Sequence, residues 1–147
     1  MADRVPASIE LGGSLGAADY AELVVAIQAE GLSVEWGGEP FEADHRTEGE
    51  MLRLHAFEVA GGAFETLENH CIEKGLPFVR WCGGYGCEWG AERVVFDGEG
   101  EPRHYAADED DQVVIGREEA MQLGSFEAIS GYFEAADFKV PPLIVEG

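Results

Sequence analysis

The apolar positions in the first ninety residues alternate between strand spacing and helix spacing. Residues 7–11 switch between apolar and polar at every position, as a half-buried strand does. An amphipathic helix from about Ala17 to Glu30 is predicted by apolar side chains that recur every three or four positions, namely Tyr20, Leu23, Val24 and Ile27. Residues 32–36 alternate again. The segment therefore predicts a strand, a helix and a second strand.

The next segment repeats this plan. It predicts a strand over 51–59, a helix over 63–74 and a strand over 77–81. The apolar stripes of the two helices align at a constant offset of 44 residues, with Tyr20, Leu23 and Ile27 matching Phe64, Leu67 and Cys71. Two βαβ units in tandem predict an α+β fold of ferredoxin-like type, with helices on one face of an antiparallel or mixed sheet.

The last third of the chain has shorter elements. Residues 93–97 and 103–107 flank a glycine-rich turn and predict a β-hairpin. Short helices are predicted over 117–123 and 125–135, separated at Gly124, and the prolines that follow favour an extended tail. We therefore expect one domain over residues 1–147, in which 1–90 form the duplicated core and 91–147 form the hairpin and short-helix extension.

The charge changes this picture more than any motif does. The 147 residues include 30 Asp and Glu but only 9 Lys and Arg, which gives a formal net charge of −21. Direct binding to nucleic acid needs clustered basic residues, and anionic membranes repel a surface of this sign, so neither is expected. The chain has no apolar run long enough to span a bilayer, and its first residues do not resemble a signal peptide, so a cytoplasmic location is expected.

The acidity has three interpretations: colloidal solubility, adaptation to high salt, or attraction of a basic partner. The acidic residues are spread along the chain instead of forming one tail, and a folded scaffold can hold them at fixed spacings. We therefore expect a non-enzymatic inhibitor of anti-restriction or anti-CRISPR type, which imitates DNA and occupies the nucleic-acid groove of a basic protein. The candidate partner-binding residues are Glu42, Asp44, Glu48 and Glu50 in the first loop, and Glu99, Glu101, Asp108, Glu109, Asp110 and Asp111 around the hairpin.

Recognised catalytic and ion-binding motifs are missing from the sequence. No lysine follows a glycine-rich loop as in a Walker A motif, and no G-x-S-x-G segment occurs. EF-hand loops starting at Asp97 or Asp108 would lack the glycine required at their sixth position. The sequence therefore predicts no enzyme activity, cofactor or bound metal.

Two alternatives remain at this stage. Cys82 and Cys87 form a C-x4-C pair that contains Tyr85, and His70 lies upstream on a predicted helix. A zinc site needs four converging ligands, so this set is incomplete, but it allows a ferredoxin-like domain that binds a metal or a small molecule. The other alternative is an acidic accessory domain whose charge serves solubility.

The tryptophans at positions 36 and 81 are expected to close the ends of the core.

Overall fold

The computed structural model describes residues 4–85 and 90–146. Its strands are β1 Arg4–Leu11, β2 Gly13–Gly16, β3 Leu52–Ala60, β4 Phe78–Cys82, β5 Glu92–Phe96, β6 Arg103–Ala106 and β7 Leu143–Glu146. Its helices are α1 Ala17–Ala29, α2 Glu65–Lys74, α3 Arg117–Leu123 and α4 Phe126–Ala136, with a short 3-10 turn at Ala43–His45. The α+β class is confirmed, and the helices lie close to the predicted ranges.

The main sheet has five strands in the order β3-β1-β4-β5-β6, and every neighbouring pair is antiparallel. Strand β1 lies between β3 and β4, which are joined through α2. Strands β2 and β7 form a separate parallel pair, in which Gly13 is opposite Leu143. The sequence pattern predicted no strand over β2, and it predicted only an extended tail for the residues of β7.

The ferredoxin-like duplication is not confirmed, because the first unit lacks its returning strand. The predicted strand over 32–36 makes a single antiparallel bridge, at Ser33 with His55 of β3. Leu32 is fully buried, whereas Trp36 is 42% exposed, and the chain turns away at Gly37, whose φ is 71°. The alternation of apolar residues in this segment therefore reflects burial of one side and not pairing within the sheet.

The two faces of the main sheet are covered differently. Alternate residues of β1, including Ile9 and Leu11, pack with α1 and α2 in the larger hydrophobic core, and we call this side the helix face. On the opposite side, Val79 and Val95 pack against Ala136 at the end of α4. The polar residues of β1 and β3 also point to this second side, beyond the part that α4 covers. We call this second side of the sheet the pocket face.

None of the helices among the described residues combines the length and the apolar character needed to cross a bilayer.

Candidate functional site

A depression of about 330 Å³ lies on the pocket face. Its floor follows the strand register: Ser8 is opposite both His55 and Trp81, and the next polar residue of β1, Glu10, is opposite Arg53 and Val79. These residues alternate with the apolar residues of the helix face, so each strand contributes every second side chain. Pairing of three strands therefore assembles a polar floor from residues that are distant in sequence.

One wall of the depression is aromatic. The Trp36 ring lies 4.6 Å from the His55 ring and 5.1 Å from the Phe57 ring, measured between centroids. Trp36 and Phe57 are 42% and 57% exposed, whereas Trp81 on the floor is 8% exposed. Burial is therefore confirmed for Trp81, which packs in a small separate cluster with Ala91 and Ala107, and the prediction is wrong for Trp36. Trp36 instead presents an indole to solvent at the rim.

The opposite wall is the turn that follows β6. Asp108 Oδ1 accepts the backbone N–H groups of Asp110 and Gln112, each at 2.9 Å. Trp81 Nε1 donates to the Asp108 carbonyl oxygen at 3.0 Å, and the Gly84 N–H donates to Glu109 Oε2 at 3.0 Å. These bonds fix the turn against the sheet, so Glu109, Asp110 and Asp111 border the depression.

A buried arginine holds the end of this turn. Arg93 Nε donates to Asp111 Oδ1 at 3.0 Å, and Arg93 Nη1 donates to the Ala136 carbonyl oxygen and to Asp137 Oδ1, both at 2.9 Å. Burial raises the pKa of Asp111 and the nearby Arg93 opposes that rise, while the charge of Glu10 adds to it. Asp111 therefore has a structural role in joining the turn to α4.

Negative charge predominates in the depression. Among the described residues that line it, Arg53 is the only Lys or Arg, and Arg53 Nε donates to Glu10 Oε2 at 2.9 Å. Burial lowers the pKa of His55, which favours the neutral imidazole. Among the described residues, His55 Nδ1 has no hydrogen-bond partner and is buried. The carboxylates of Glu109 and Asp110 thus add net negative charge to a site whose one arginine is already paired.

Three of the predicted residues in the first loop lie near α1 and not on the pocket face. The Ala43 carbonyl oxygen accepts the Tyr20 hydroxyl, which places Asp44 and its neighbour Glu42 beside α1. Glu48 lies 3.8 Å from Arg46, whose guanidinium is above the Tyr20 ring. The first loop therefore does not present its four predicted acids as one cluster.

Two of the remaining predicted residues, Glu50 and Glu101, border further depressions. Glu50 borders a second depression that shares Arg53 with the first. Glu101 borders a third, between the β5–β6 hairpin and α4, together with Asp97 and Glu134. Glu99 lies in the hairpin turn, where its N–H donates to Asp97 Oδ1. Glu50 and Glu101 are thus exposed beside these depressions, whereas Glu99 follows Gly98, which lies beside Gly75 at the end of α2.

The cysteine site proposed as an alternative is only partly within the described residues. Cys87 lies outside them. Cys82 is 2% exposed on the helix side, where burial raises the pKa of its thiol, and Tyr85 is 38% exposed. His70 is half-buried, and its Nε2 has no partner in the described ranges. The only group of three potential metal ligands found within those ranges is Glu42, Asp44 and His45.

The thiols of Cys71 and Cys82 are expected to react slowly in the folded protein. Burial raises the pKa of Cys71 to about 12, and alkylation requires the thiolate. Iodoacetamide labelling followed by peptide mass spectrometry should modify both residues far more slowly in native protein than in denaturing urea. Native labelling of Cys82 at the unfolded rate would contradict this and would favour a reactive cysteine site.

Sequence reasoning did not assemble the floor of the depression. Ser8 and Glu10 on β1, and Arg53 and His55 on β3, were visible as the polar members of alternating strands. The signal that could have found them is their alternation with the apolar core residues, because alternate residues of a strand point to opposite faces of the sheet. The alternation pattern could not show that β1 pairs with both β3 and β4.

No protein-family model matches the chain, and the searches of curated proteins and of solved structures likewise gave no significant match.

Proposed function

We propose that this protein binds a basic, nucleic-acid-binding protein through its pocket face and blocks that protein's access to nucleic acid. In this proposal it acts without catalysis, as a DNA-imitating inhibitor of anti-restriction or anti-CRISPR type. The acidic residues of the pocket face take positions that phosphates would occupy on the partner.

The observation that carries the proposal is the unequal burial of charge. Arg80 and Arg93 are only 4% and 9% exposed, and Glu68 is the one carboxylate buried to a similar degree among the described residues. Folding therefore removes more positive than negative charge from the surface of a chain that already has a net charge of −21. Such a field attracts basic surfaces and speeds their association.

The arrangement of the carboxylates supports a specific contact in addition to this general attraction. Asp108 and Glu109 accept backbone N–H groups, so the acidic turn is held in one conformation before a partner arrives. A rigid binding surface loses less conformational entropy on association than a flexible acidic tail does. The exposed indole of Trp36 adds an aromatic contact of the kind enriched in binding hot spots.

The proposal is tested by affinity capture from a host lysate, with increasing salt washes and elution by duplex DNA. We expect one nucleic-acid-binding protein to be retained at low salt, lost as salt rises and displaced by the duplex. A neutral polymer of similar size is the control eluent. Retention of a partner that the duplex does not displace would contradict the proposal.

A further inference from the structure

We propose that the depression on the pocket face binds the guanidinium group of an arginine side chain. The inference rests on the proposed function, since it names the chemical group by which the basic partner would be recognised. It does not require the partner to be identified first, because an arginine derivative presents the same group.

The aromatic wall suits a flat cation. Trp36 is 42% exposed at the rim, and its ring is braced by the rings of His55 at 4.6 Å and Phe57 at 5.1 Å. A guanidinium stacks on an indole face by cation–π attraction. Because it is weakly hydrated, its transfer out of water costs little free energy. An ammonium is a compact and strongly hydrated charge, so it stacks less favourably on a flat aromatic wall.

The acidic wall of the depression provides hydrogen-bond acceptors for the N–H groups at the edge of the guanidinium. Asp110 is exposed, and its side chain makes no hydrogen bond or ion pair with the described residues. Glu109 lies beside it, with Oε2 fixed by the Gly84 N–H. Planar guanidinium groups donate in parallel to carboxylates, so a ligand stacked on Trp36 can direct its donors toward this wall.

The chain already pairs arginines with carboxylates at two borders of the depression. Arg53 donates to Glu10 on the floor, and Arg93 donates to Asp111 from beneath the turn. Both arginines are therefore satisfied, and neither provides an unpaired positive charge for an anionic ligand. The volume of about 330 Å³ is within the range of small-ligand sites, which begins at roughly 300 Å³.

The direct test uses N-acetyl-arginine N-methylamide, with the citrulline analogue as the neutral control and the lysine analogue as the competing cation. Titration is followed by the indole signals in ¹H–¹⁵N NMR spectra of the full chain. We expect saturable shifts of the Trp36 signal with arginine, and binding of the other two ligands weaker by about tenfold or more. Equal shifts with citrulline, or equal affinity for lysine, would overturn the guanidinium assignment.

Two variants locate the site. Asp110→Asn and Trp36→Leu are each expected to weaken arginine binding by about fivefold to tenfold, since each removes one wall. Asp44→Asn removes the same charge near α1 and should leave the affinity unchanged. Equal weakening by Asp44→Asn would show a general charge effect and would overturn the proposed pocket.

The outcomes separate this inference from the proposed function. If arginine does not bind but a basic partner is still captured and displaced by DNA, the pocket is refuted and the proposed function stands. If arginine binds saturably at the pocket and no basic partner is captured, the pocket is supported and the proposed function fails.

Discussion

Replacement of Glu68 by alanine is expected to lower the free energy of unfolding by about 3–5 kcal/mol. Glu68 on α2 is 9% exposed, and its Oε2 accepts Arg80 Nε at 3.2 Å and the Phe64 N–H at 2.7 Å. Arg80 is 4% exposed on the helix face, and its Nη1 lies 3.5 Å from Glu92 Oε1. Loss of Glu68 leaves a buried guanidinium with one half-exposed partner. Urea unfolding followed by far-UV circular dichroism measures the loss.

Two further variants identify the cause of that loss. Glu68→Ala combined with Arg80→Met should be more stable than Glu68→Ala alone, because removing both charges eliminates the uncompensated one. Glu73→Ala, an exposed change on the same helix, should alter the stability by no more than about 0.5 kcal/mol. A double variant less stable than Glu68→Ala would indicate that lost packing, and not the buried charge, dominates.

Charge reversal on the pocket face is expected to have the largest effect on binding. The double variant Glu50→Lys and Asp110→Lys should weaken binding to the captured partner by about 100-fold or more, because it places like charges across the contact. Both side chains border depressions on this face, and neither makes a hydrogen bond or ion pair with the described residues. Isothermal titration at fixed ionic strength measures the change.

The matched control carries the same change of charge on the other side of the molecule. Asp44 lies beside α1 and Glu73 is exposed on α2, so Asp44→Lys with Glu73→Lys raises the net charge equally. It should weaken binding by about tenfold or less, through long-range attraction alone. Equal losses for the two double variants would mean that net charge, and not the pocket face, determines binding.

The elements that sequence predicted well are those whose pattern is local. The stripe of Tyr20, Leu23 and Ile27 predicts α1, and these residues are buried as expected. Strand β2 was missed because Gly13–Gly16 resembles a turn and pairs with β7, which is distant in sequence. The segment over 32–36 alternates like a strand, but local alternation cannot show whether a neighbouring strand has room to pair along its length.

The candidate site shows the same division between local and long-range information. The acids at 108–111 could be identified from sequence because they are consecutive and polar. The floor could not, because Glu10, Arg53 and Trp81 become neighbours only through the register of β1 with β3 and β4. The first acidic loop was expected to act as a unit, yet Glu42 and Glu50 lie in different surroundings because the loop passes around the edge of the sheet.

The most direct test of the account is competition between this protein and nucleic acid for the same partner. Fluorescence anisotropy of a labelled duplex bound to the captured partner is measured while the unlabelled protein is added. We expect complete release of the duplex by the wild-type chain, and release by the Glu50→Lys and Asp110→Lys double variant only at about 100-fold higher concentration. Binding of the wild-type protein to the partner while the duplex stays bound would contradict the central claim that the two occupy one surface.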